Sequence, residues 1–151
     1  MAGEPISKET FIDASPQIVF EFLTDPVKMV RWMGIRAEIV PKPGGIYFLD
    51  PNGVDTIRGS YLEVVPYSKI VFTWGYDRPG HSIPPGSTVV EITLAQEGTG
   101  TRLRLVHRDL PPDAREKHSF GWGHYLGRLK TVSEGANPGV DPFADANVRH
   151  G

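Results

Sequence analysis

The sequence has five histidines and no cysteine, so any side-chain chemistry here rests on imidazole, carboxylate, hydroxyl and aromatic groups. His107 is the best placed of these. It ends the alternating row Leu103, Leu105, His107, so its ring points inward while Val106 and Arg108 point out. An inward imidazole can hydrogen-bond a ligand or act as a general acid or base near neutral pH. The plainer reading is a core histidine satisfied by a backbone group, and both stay open. His118, Trp122, Tyr125, Leu129 and Val132 follow at spacings of four, three, four and three, which puts them on one helical face. Trp32, Phe72, Trp74 and Leu105 add apolar or flat surface. Such side chains form a core or the wall of a ligand cavity, where Trp N–H and Tyr O–H groups orient the guest. The candidate ligand-binding set is therefore Trp32, Phe72, Trp74, Leu105, His107, His118, Trp122 and Tyr125, with His107 as the candidate acid or base.

Other chemistries find no pattern. With no cysteine there is no disulfide, thiolate metal site or cysteine nucleophile. His107 and His118 lack the spacing and the carboxylate partner of a metal site, so no metal or cofactor is expected. Gly44-Gly45 is followed by no Lys-Ser/Thr and is no phosphate loop. Ser87 and Ser119 have no His-Asp pattern beside them. Sixteen basic and 18 acidic residues give a net charge of −2 without a basic stripe, which argues against nucleic acid as a partner. No apolar run approaches the ~20 residues of a membrane span, and the first residues do not read as a signal peptide. The expectation is a cytoplasmic protein of one domain, as either a monomer or a homodimer.

The elements that would position these residues are α and β segregated along the chain. A strand over 6–13 precedes two short helices. Ser15-Pro16 opens the first helix and Asp25-Pro26 the second, each pairing an N-cap side chain with proline at the first helical position. Gly34 ends the second. Strands follow over 35–40, 46–50, 55–65, 69–76, 87–96 and 101–109, separated by turns rich in Gly and Pro. Gly59 marks a bend or bulge in the long third member of this series. Pro111-Pro112 stops the sheet and a helix runs over 114–134, the one element large enough to cover the sheet's apolar face. Gly121, Gly123 and Gly127 cost this helix about 0.8–1.0 kcal/mol each relative to Ala. They make room for a ligand or a strand, or they simply loosen the helix. Residues 1–135 are read as the domain. Residues 136–151 have the composition of a tail, with little apolar content and order or disorder left open.

The order of these motifs resembles the START-like (SRPBCC, helix-grip) superfamily, in its Hsp90-ATPase-activator-homologue (AHSA1-like) branch. The resemblance covers about residues 5–134. It is carried by Ser15-Pro16, Thr24-Asp25-Pro26 with Trp32, Gly44-Gly45, and Gly59 ahead of Glu63 and Pro66. Val71-Phe72-Thr73-Trp74, Thr101-Arg102-Leu103 with His107, and Gly121-Trp122 with Leu126 and Leu129 continue it. It implies an α+β helix-grip fold, a curved antiparallel sheet of seven strands wrapped around the last helix with a cavity between. It also implies a range of roles. The first is binding of a small hydrophobic or aromatic molecule, lipid- or polyketide-like. Another is a polyketide cyclase-like or dehydrase-like enzyme using His107, with Tyr125 as an orienting donor. A third is a chaperone-interacting module. The resemblance does not decide whether the chain is an enzyme.

Overall fold

The computed structural model describes residues 4–144. The chain runs β1 (Ile6–Ile12), α1 (Pro16–Thr24), α2 (Pro26–Met29), β2 (Arg36–Ile39), β3 (Ile46–Asp50), β4 (Ile57–Val65), β5 (Lys69–Trp74), β6 (Thr88–Glu97), β7 (Gly100–Arg108) and α3 (Arg115–Ser133). The seven strands form one antiparallel sheet in the order β1-β7-β6-β5-β4-β3-β2. From β2 to β7 neighbours in sequence pair directly, across turns and, before β6, the longer loop 75–87, while β1 closes against β7 at the far edge. This is the α+β helix-grip architecture expected from the sequence.

The helix starts behave as their residues dictate. Ser15 accepts from the N–H of Ile18, and Asp25 accepts from the N–H groups of Val27 and Lys28. Trp32 lies just after α2, and its Nε1–H donates to the carbonyl of Phe22 at 2.8 Å, which fixes the angle between the two helices. Gly34 sits at φ +87°, where a side chain would be strained and would meet Leu49.

The long strand β4 differs from expectation in two ways. It begins at Ile57, because residues 50–55 fold into a tight side-chain-bonded loop. Asn52 Oδ1 accepts from the N–H groups of Val54 and Asp55, and Arg78 pairs with fully buried Asp55 at 2.6 Å. The register shift falls between Tyr61 and Glu63, not at Gly59. Gly59 answers a different need. A Cβ there would lie 1.9 Å from the Thr73 carbonyl oxygen, so the close approach to β5 excludes any side chain.

The inner face carries Leu103 and Leu105 from β7, Val90, Ile92 and Leu94 from β6, Ile70, Phe72 and Trp74 from β5, and Tyr47 from β3, all buried. α3 covers it with one stripe, His118, Trp122, Tyr125, Leu126, Leu129 and Val132. The helix is pinned to the β1 edge at both ends. Arg115 donates to the carbonyls of Glu4 and Pro5, and Lys130 donates to that of Phe11 at 2.7 Å. Arg128 reaches the carbonyl of Trp32 on the other side. Among the described residues no helix is long and apolar enough to cross a membrane.

Residues 136–144 run back along α3. Arg128 Nη1 donates to the carbonyls of Pro138 and Gly139 at 3.2 Å each. Asp141 meets His124 Nε2 at 2.9 Å, and Phe143 packs 4.4 Å from the His124 ring. This part of the expected tail is therefore held by hydrogen bonds from Arg128, the Asp141–His124 contact and one aromatic ring, which its low apolar content did not signal. The remainder, 145–151, lies outside the described residues.

Candidate functional site

The eight residues singled out from sequence separate into two groups. Four line a partly open cavity of about 250 Å³ between α3 and the end of β5: Trp74, His118, Trp122 and Tyr125. Four do not reach it. Trp32 is locked to Phe22 at the α1–α2 joint. Phe72 stacks on Tyr47 with centroids 4.1 Å apart, deeper in the sheet. Leu105 is fully buried between β1 and β6, opposite Lys8 and Ile92.

His107 is the fourth, and its surroundings decide its chemistry. The ring is 0% exposed. Trp122 Nε1–H donates to His107 Nδ1 at 3.0 Å, which makes Nδ1 an acceptor. Nε2 therefore carries the proton and lies 2.9 Å from Thr88 Oγ1. That hydroxyl gives its own proton to the Trp74 carbonyl at 2.7 Å, so it accepts from the imidazole. Burial, reinforced by the neighbouring His118, pulls the His107 pKa from 6.5 down to about 3. The ring is neutral near pH 7, has both nitrogens occupied and has no open edge. As an acid or base it would have to break a bond in the core before touching a substrate.

His118 stands in a different position, on the cavity wall. Its Nδ1 lies 2.9 Å from the carbonyl of Ala114, the N-cap residue of α3, and so bears the proton. Nε2 then accepts from the Tyr76 hydroxyl at 3.0 Å. Burial raises the Tyr76 pKa well above its usual range, so the phenol keeps its proton. Tyr76 also stacks on His81, with centroids 4.5 Å apart. Trp74 Nε1 is buried beside Tyr76 without a geometrically formed hydrogen bond. The indoles of Trp74 and Trp122 tilt across each other at 5.2 Å and form the cavity's inner wall.

Sequence reasoning missed Met33, Tyr76, Lys117, Phe120 and Phe143. Tyr76 shares the alternation of Phe72 and Trp74, so strand phase could have found it. Phe120 is off the helix's buried stripe and 70% exposed. Phe143 lies in the segment read as tail, where no periodic signal exists. Gly121 lines the cavity, and a Cβ built there meets nothing within 4 Å. The same holds at Gly127, and at Gly123 the nearest atom is Lys8 Nζ at 3.7 Å. Close strand approach is thus not what keeps side chains off these three positions. At Gly121 the missing side chain leaves the cavity open.

Comparison with known proteins identifies the family and the fold. Residues 13–134 match the family model described as activator of Hsp90 ATPase homolog 1-like protein. The chain belongs to that family. It is 41% identical to the AHSA1-like protein of Rhizobium etli, over 100% of this chain and 94% of that one, with a TM-score of 0.75. It is 26% identical to CalU16 of Micromonospora echinospora, over 87% of this chain and 76% of that one, TM-score 0.72. An Hsp90 activator from Plasmodium falciparum shares the fold at 22% identity, over 86% and 96% of the two chains, TM-score 0.71. A search of curated proteins finds no match.

Proposed function

We propose that this protein binds a small, mostly apolar, ring-bearing molecule in the cavity between β5 and α3. One observation carries the reading: a cavity of about 250 Å³ walled by Trp74, Trp122 and Tyr125, with Lys117 and the hydrogen-bonded Tyr76 and His118 as the polar side chains in its lining. Apolar walls with a few fixed polar groups are what small-molecule sites share. An apolar cavity of about 150 Å³ is enough to hold benzene, so this one suits one or two fused rings. A catalytic role through His107 has no support in the geometry, because neither ring nitrogen is open.

Naphthalene tests the reading directly. Titrated into the labelled protein, it is expected to shift the indole N–H signals of Trp74 and Trp122 while leaving that of Trp32 in place. Gly121→Leu should fill the cavity from the helix side and weaken binding by at least about tenfold. It should not lower the melting temperature, since leucine is the better helix former. Equal shifts in wild type and variant would place the binding elsewhere and sink the proposal.

The family's description supports a second reading, contact with an Hsp90-type chaperone. It predicts saturable association with purified Hsp90 and a change in its ATPase rate. Neither effect at tens of micromolar protein would remove it.

A further inference from the structure

We infer that the segment 136–144 is a working wall of this cavity and that Phe143 sets the size of molecule admitted. The inference rests on the ligand-binding reading above and deepens it.

The segment lies beyond residues 13–134, the stretch that matches the family model, yet it supplies a lining side chain. Phe143 stands at the cavity mouth, 6.0 Å from Tyr125 and 6.1 Å from Phe120, ring centroid to ring centroid. Phe120 is otherwise largely in solvent. A ring so placed shortens the cavity at its open end and gives a bound molecule a second flat face. The first is the Trp74 and Trp122 pair at the inner end.

The backbone holds this ring in a defined place. The N–H of Phe143 donates to Asp141 Oδ1 at 2.9 Å, and the same oxygen meets His124 Nε2 at 2.9 Å. Arg128 holds the carbonyls of Pro138 and Gly139 while also binding that of Trp32. The two side chains that hold the segment, His124 and Arg128, project from α3, the helix that also carries His118, Trp122 and Tyr125. The segment is thus tied to the site by polar groups at its edge and contributes a single aromatic ring. Polar ties of this kind fix the backbone of the segment, which leaves the identity of residue 143 free to set the cavity's length.

Two probes tested on the whole 151-residue chain decide this: naphthalene, which suits the cavity's volume, and 2-phenylnaphthalene, which is too long for it. The wild type is expected to bind naphthalene and to discriminate against the larger probe by at least about tenfold. Phe143→Ala should weaken naphthalene about tenfold through the lost face and bring 2-phenylnaphthalene to equal or better affinity. Phe143→Leu should fall between. Asp141→Asn, which keeps the ring but weakens its tether, should move both affinities in the same directions by a smaller factor. If wild type binds naphthalene with the Trp74 and Trp122 shifts but Phe143→Ala changes neither affinity, the wall is idle. In that case this inference falls while the ligand-binding reading stands. If wild type binds neither probe at these residues, both fall.

Discussion

Lowering the pH from 7 to 4 should destabilise this fold by about 3 kcal/mol through His107 alone. The sign follows from the direction of the shift. His107 in the folded chain has its pKa pulled down to about 3, against 6.5 for a free imidazole. Below pH 6.5 the unfolded chain takes up a proton that the folded chain refuses. The stability contributed is complete above 6.5 and is lost progressively as the pH falls toward 3, at about 1.4 kcal/mol per unit. Carboxylates titrate in the same range, so the measurement is a comparison. The drop in unfolding free energy between pH 7 and pH 4 should be about 3 kcal/mol smaller in His107→Gln than in wild type. NMR adds an independent check, because the His107 ring signals should stay fixed from pH 7.5 to 4. A midpoint near 6.5 would mean a solvent-accessible imidazole and would restore the acid–base reading that burial removes.

The second large effect concerns its hydrogen-bond partner. Trp122→Ala should cost about 3–5 kcal/mol, the range for deleting a large aromatic from a packed core. That is a large share of the 5–15 kcal/mol typical of a whole domain. Trp122 is 3% exposed, packs on Trp74 at 5.2 Å and donates to His107. Trp122→Phe separates the two contributions. It keeps most of the ring and removes the donor, which leaves a buried imidazole acceptor without a partner, at about 1–3 kcal/mol. Urea unfolding of the three proteins at pH 7 gives both numbers. A Phe variant as stable as wild type would show that the Trp122 to His107 bond contributes nothing net, and that the indole acts by bulk alone.

These two residues also show how far the sequence could be read. Alternation along 101–109 turns His107 inward, and a spacing of four and three puts His118, Trp122 and Tyr125 on one helical stripe. Both follow from local backbone geometry, since the direction of a side chain depends only on its position within a strand or helix. The same locality makes Ser15-Pro16, Asp25-Pro26 and the Gly34 stop legible. The α+β order of elements follows from them, and with it the covering role of the last helix.

What local geometry cannot supply is distance between elements. Whether an inward residue meets another side chain or an empty volume depends on the separation of α3 from each strand. That separation is set by the whole core. Trp74 and Phe72 have the same phase on β5, yet one borders the cavity and the other stacks on Tyr47. His107 and His118 are both inward histidines, yet the first is satisfied on both nitrogens inside the core and the second stands on the cavity wall. Phe143 is the extreme case. Its segment has no periodicity to announce packing, and its place follows from Asp141 meeting His124 and Arg128 meeting two carbonyls. Most elements, their order and the face of each that turns inward are legible from neighbouring residues, because they are local properties of the backbone. Which inward side chains fill the core and which border the cavity depends on contacts between residues far apart in the chain, so it emerges only once the sheet and α3 are packed together.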